Sequence, residues 1–191
     1  RKYEQFVDNL CFLGRSKLGL TGLLNSTSVT ALTAPNGAGG TATWPTKTVD
    51  EIVKDINDVL SVVFTASNGI EQADTLLLSQ DRYAYIATRR LDNTQTTTIL
   101  EHIQRVNIYT IRTGQPLKIR AVFGLETAGA GSTQRMVAYR RTPDVVKVHI
   151  PMPLRWLQAE QRLLKYEVPG IFRFGGVEWR RPGAARYLDG I

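Results

Sequence analysis

The side chains here with a capacity for acid–base or nucleophilic chemistry are two histidines, one cysteine and a scatter of carboxylates. A hydrolytic triad needs a nucleophile, a base and a group that orients the base, all meeting in space. His102 follows Glu101 in a segment patterned as a helix, and His149 stands between Val148 and Ile150 in an apolar alternation. Neither belongs to a motif that supplies a partner, and both read as structural or surface residues. Cys11 is alone, which excludes an internal disulfide framework, and it reads as a small buried hydrophobe. No Cys/His cluster has metal-ligand spacing. Gly37-Ala38-Gly39-Gly40 lacks the Lys-Ser/Thr that a phosphate loop requires. Asn25-Ser26-Thr27 matches a glycosylation sequon, read as accidental because no secretion signal is visible. Glu160, Glu167 and Glu178 alternate with basic residues, which suggests ion pairing across a sheet or an interface. We assign no catalytic, cofactor-binding or metal-binding residue, no cofactor and no enzymatic activity.

The best-patterned stretch runs from Thr48 to Arg90. Val49, Ile52, Val53, Ile56, Val59, Leu60 and Val63 recur at three- and four-residue steps, the spacing of one helix face. Asp50, Lys54, Asp55 and Asp58 fall on the other face, read as solvated. Thr48 and Glu51 fit a capping box, and Asn68-Gly69 supplies a stop. Leu76-Leu77-Leu78 is too short for a helix and reads as a buried strand, and Ser79 can cap a second helix from Gln80 to Arg90. Upstream, residues 1–17 read as a helix end with Phe6, Leu10 and Leu13 on its stripe, fraying at Gly14 and Gly19. Residues 33–47 read as loop, with Trp44-Pro45 extended. Downstream come a Thr-rich loop from Asp92 to Thr98 and a short helix from Ile99 to Val106. Strands follow at Leu117–Phe123, Arg135–Arg140 and Val146–Ile150, the last broken by Pro151 and Pro153. A long strand from Gln158 to Val168 is interrupted by Pro169-Gly170, and alternation resumes at Phe172-Arg173-Phe174.

The length allows one substantial domain or two small ones, and no apolar run approaches the roughly 18–20 residues of a membrane-spanning helix. The first residue is not Met, which suggests a start inside a longer product. The net charge of +7 is uneven: residues 1–111 balance at −1 and residues 112–191 at +8. This asymmetry points to a polyanion or an acidic partner surface, without the interleaved aromatics of a single-strand platform.

The order of the pieces resembles a known family. The turn Gly19-Leu20-Thr21-Gly22-Leu23-Leu24-Asn25 looks like the close of the spine helix in tailed-phage major capsid proteins of the Hong-Kong-97-type fold. The helix Thr48–Phe64, the strand-to-helix step Leu76–Tyr83, Gly114-Gln115-Pro116-Leu117, Met136-Val137-Ala138-Tyr139 and the ending Gly176–Ile191 resemble that family in the same order. The resemblance implies an α+β fold in two parts. Residues 1–25 (spine-helix end) and 143–180 (long strands) would form a peripheral domain, and residues 26–142 and 181–191 an axial domain with a central sheet. It implies homo-oligomers, hexamers and pentamers, closing an icosahedral shell in a virion assembled in a bacterial host's cytoplasm. Packaged double-stranded DNA would be contacted non-specifically, with room for a decoration or scaffolding protein and no membrane partner. It places the family's N-terminal arm, extended loop and most of the spine helix before Arg1. Two other readings stand beside it: the shell of an encapsulin-like nanocompartment, and a basic nucleic-acid-binding module.

Overall fold

A computed structural model describes residues 2–92 and 96–191. In chain order these form α1 (Lys2–Leu13), β1 (Gly14–Arg15), β2 (Leu20–Thr21), β3 (Ala31–Thr33), α2 (Val49–Ala66), β4 (Thr75–Leu78), α3 (Gln80–Thr88), α4 (Ile99–Arg105), α5 (Ile108–Thr113) and β5 (Lys118–Ala121). Then come β6 (Arg135–Tyr139), β7 (Val146–His149), β8 (Met152–Trp156), β9 (Glu160–Arg162), β10 (Lys165–Glu167), β11 (Gly170–Arg173), β12 (Gly176–Trp179) and β13 (Ala185–Asp189). Residues 93–95 of the expected Thr-rich loop, and Arg1, lie outside the described residues.

The centre is a five-stranded mixed sheet in the order β3-β13-β6-β4-β5. Period-two alternation divides its side chains between two cores. Leu76 and Leu78 of β4, Met136 and Ala138 of β6 and Leu188 of β13 face α2, α3 and α4, where Ile52, Ile56, Ile86 and Ile103 meet them. Leu77, Val137, Tyr139, Ala185 and Tyr187 face the other way, onto Leu24, Val29 and Leu125. A triple-leucine strand is therefore apolar throughout because both faces of the sheet are covered at that point.

α2 packs the face its spacing dictated. Thr48 Oγ1 accepts the Glu51 amide, and Glu51 Oε2 accepts the Thr48 amide at 2.8 Å, closing the capping box. The same carboxylate accepts the Ala38 amide through Oε1 at 2.8 Å, tying the glycine loop to the helix start. The helix ends at Ala66, and Asn68 and Gly69 turn the chain away with φ of 54° and 79°.

Outside the sheet, strands among the described residues pair in twos. β1 joins β2, β7 joins β12, β8 joins β11 and β9 joins β10, all antiparallel. Several expectations fail in this region. Pro153 does not end a strand; it lies inside β8, opposite a register shift between Ile171 and Arg173 of β11. A bulge is where a residue without an N–H is tolerated. Gly170, expected to interrupt, is the first residue of β11. The long strand from Gln158 to Val168 is a hairpin, turned at Leu163-Leu164 with Leu163 at φ 52°. Elsewhere Trp44-Pro45 forms a 3-10 turn with Trp44 fully buried, and α3 stops at Thr88. β5 stops at Ala121 with Phe123 exposed, and β7 stops at His149. α5 has no counterpart among the expected elements; Asn107 at its N-cap and left-handed Gly114 at its end are its local signals.

Candidate functional site

The residues first singled out for chemistry do not converge. His102 stands on α4 and His149 on β7. The His149 ring lies 2.7 Å from Glu178 Oε2 on β12, an exposed pair to which no hydroxyl or thiol bonds among the described residues. His149 and Arg180 together hold the Glu178 carboxyl below its ordinary value. Cys11 is half-buried rather than buried, and burial, then the nearby Asp8 charge, push its thiol upward, away from thiolate reactivity. The glycine loop at 37–40 spends its Ala38 amide on Glu51, so that donor is not open to a phosphate. Asn25 takes the Gly22 amide on Oδ1 and donates Nδ2 to Leu13 O at 2.7 Å, working as a clasp for its turn.

The buried charges are clamps. Arg135 donates Nε to Asp189 Oδ1 at 2.6 Å, Nη2 to Asp189 Oδ2 at 2.8 Å and Nη1 to Leu24 O at 2.9 Å, with its guanidinium over the Tyr187 ring. Asp189 also accepts the Ala130 amide, so one carboxylate fixes β13, β6 and the loop before β6 together. Tyr187 donates its hydroxyl to Leu23 O at 2.6 Å, and burial pushes that hydroxyl up to about 12. Glu71 sits between Arg140 Nη1 at 2.5 Å and Arg181 Nη1 at 2.6 Å. Burial raises its pKa, but the two guanidiniums outweigh that and hold it below the usual carboxylate range. Asp55 corrects the expectation of a solvated face. It is buried, accepting Lys47 Nζ at 2.6 Å and Trp44 Nε1 at 3.1 Å, with burial pushing its pKa up against the pull of Lys47. The cause is position: residue 55 borders the 52–59 stripe, where Trp44 folds over the helix.

The exposed ion pairs of Glu167 with Arg162 and Lys165, and of Glu178 with Arg180, follow the expected alternation. At the surface such pairs contribute roughly 0–1 kcal/mol. What the surface does carry is apolar. Leu163 and Leu164 at the tip of the β9–β10 hairpin are 93% and 105% exposed. Trp156, Leu157, Tyr166, Val168 and Ile171 stand exposed along the same stretch. Single exposed hydrophobes need no explanation, but here seven fall within sixteen residues of sequence.

A family model described as major capsid protein matches residues 1–191. The chain belongs to the major capsid protein family. No curated protein matches it. Among solved structures, the capsid of Myoviridae phage XM1 aligns with a TM-score of 0.80 at 22% identity, covering 99% of this chain and 61% of its own. A virus-like particle from Pyrococcus furiosus gives 0.61 at 15% identity, with 95% and 62% covered. A phage-related protein from Bordetella bronchiseptica RB50 gives 0.50 at 11% identity, with 92% and 60% covered. The chain thus spans about three fifths of the length of the structures it matches. The fold is α+β of the Hong-Kong-97 type, as the order of the six motifs predicted. Capsid proteins are components of the virion shell.

Proposed function

We propose that this major capsid protein self-assembles as hexamers and pentamers into an icosahedral phage head around double-stranded DNA, assembled in the cytoplasm of a bacterial host. The observation that carries the reading is the apolar side chains left outside by the two-stranded ladders between 146 and 179. A two-stranded ladder is marginal by itself in water, and a specific interface needs on the order of 1,000 Å² of buried surface. Repetition of the chain in a closed array supplies both, because each copy covers its neighbour's exposed stretch.

The division into a peripheral part (1–25 with 143–180) and an axial part (26–142 with 181–191) belongs to this proposal. It is supported by Phe172 of β11 packing edge-on against Tyr3 and Phe6 of α1 while the five-stranded sheet draws strands only from the other two segments. The excess of Lys and Arg after residue 111 would meet DNA through phosphates without reading bases. Negative-stain microscopy of the full-length product tests the whole: closed shells of uniform size are expected, and a monodisperse small particle overturns it. A salt titration of DNA retention by those shells tests the second element. Absent or salt-insensitive retention assigns the arginines to neighbouring subunits instead. The likeness to the Pyrococcus furiosus particle keeps a nanocompartment shell as the second reading, separable by whether portal and terminase genes or an enzyme cargo gene lie beside this one.

A further inference from the structure

The helices cover one face of the central sheet; on the opposite face Leu77 and Tyr139 lie buried at the floor of a depression. There a groove of about 780 Å³ runs between the sheet and the β7–β12 ladder. Its walls are apolar: Leu77 and Tyr139 from the sheet, Phe12 from α1, Val146 and Val148 from β7, and Val177 from β12. Three exposed cations, Arg120, Arg141 and Lys147, also line it, and no carboxylate does among the described residues. Arg135, Arg140, Arg180 and Arg181 each hold a carboxylate, whereas these three hold none among the described residues. Asp74, beside this rim, accepts the Arg141 main-chain amide and the Thr75 hydroxyl instead of a guanidinium. β5, which ends the five-stranded sheet, contributes Arg120 and Ala121 to the lining.

We infer that this groove docks an extended segment of a partner chain in which aliphatic and acidic side chains alternate. An extended segment presents every second side chain to one side. Aliphatic groups then enter the walls while the carboxylates between them reach the unpaired cations at the rim, the pattern by which strand-like peptides dock beside a sheet edge. Charge complementarity favours this occupant over a neutral one, and the apolar walls favour it over nucleic acid, which could meet the rim cations through its phosphates but has no aliphatic side chains to fill the walls. The inference goes beyond the shell-forming role and requires neither a closed shell nor DNA, so its failure and that of the assembly reading are separately visible.

The test is fluorescence anisotropy of a labelled Asp-Leu-Glu-Val-Asp-Leu-Glu-Val peptide on the full chain, with shell formation scored independently by microscopy. Saturable binding at micromolar concentration is expected, weakened about tenfold or more by Arg120→Glu combined with Arg141→Glu, and weakening as salt rises. Arg162→Glu, on the distant hairpin, should leave it unchanged. The same peptide with Lys in place of every acidic residue should not bind, a control that decides the matter even if the double variant folds poorly. The proposal is overturned by no binding to the unaltered chain, by equal binding of the Lys peptide, by a folded double variant of undiminished affinity, or by full displacement with an oligothymidylate of equal length.

Discussion

Asp189 shows how much one carboxylate can organise, since Arg135 and the loop amide of Ala130 both depend on it. Removing it strands a buried guanidinium, for which the cost is about 3–5 kcal/mol. Asp189→Ala should therefore lose that much in chemical denaturation, whereas the exposed Arg162→Ala should change stability by less than about 1 kcal/mol. Glu71 makes a different prediction, in pH. Its folded pKa is depressed, so its contribution is present above the ordinary carboxylate range and disappears as pH falls through the lowered value. Thermal melts of the protein and of Glu71→Gln should differ at neutral pH and converge in acid. A gap that widened on acidification would contradict the assignment. None of these partnerships was legible in the sequence. Arg135 and Asp189 lie 54 positions apart, Glu71 and Arg181 lie 110 apart, and no local pattern reports a pairing made by the sheet.

Elements were legible where their signals were local. The α2 stripe, its capping box and the Leu76–Leu78 strand stand where the spacing put them, because periodicity and caps are set within a few residues. Thr48→Ala should cost about 1 kcal/mol in thermal or denaturant unfolding. Glu51→Ala should in addition speed hydrogen exchange at the Ala38 amide, since that carboxylate is the amide's acceptor. The segment from 151 to 173 departs from its sequence pattern because its turns use residues that do not announce them. A leucine at φ 52° makes the hairpin bend with no Gly or Asn to announce it, and a bulge admits Pro153 into a strand. Asp55 was misplaced for the opposite reason: helix periodicity puts it at the border of the apolar face, and only Trp44, brought back by a turn, decides the side. The groove was likewise invisible, since Phe12, Leu77, Tyr139 and Val177 share no pattern until the strands pair.

At the scale of the molecule, assembly and stability should separate. Leu163→Asp with Leu164→Asp alters side chains with almost no contacts to lose, so the isolated chain should keep its stability within about 0.5 kcal/mol. Negative-stain fields of the same variant should be empty of closed shells; normal shells would remove the hairpin tip from the set of contacts that build them. The family was legible from motif order, because a sheet of this topology constrains where glycine turns and buried strands fall along the chain. One feature of that topology governs timing. β13 lies between β3 and β6, pairing parallel with one and antiparallel with the other. Until the ribosome has made residues 185–189, the first of these strands has no neighbour and the hydrogen-bonding edge of the second is bare. A polypeptide cut short before residue 185 therefore leaves β3 unpaired and the sheet open between β3 and β6.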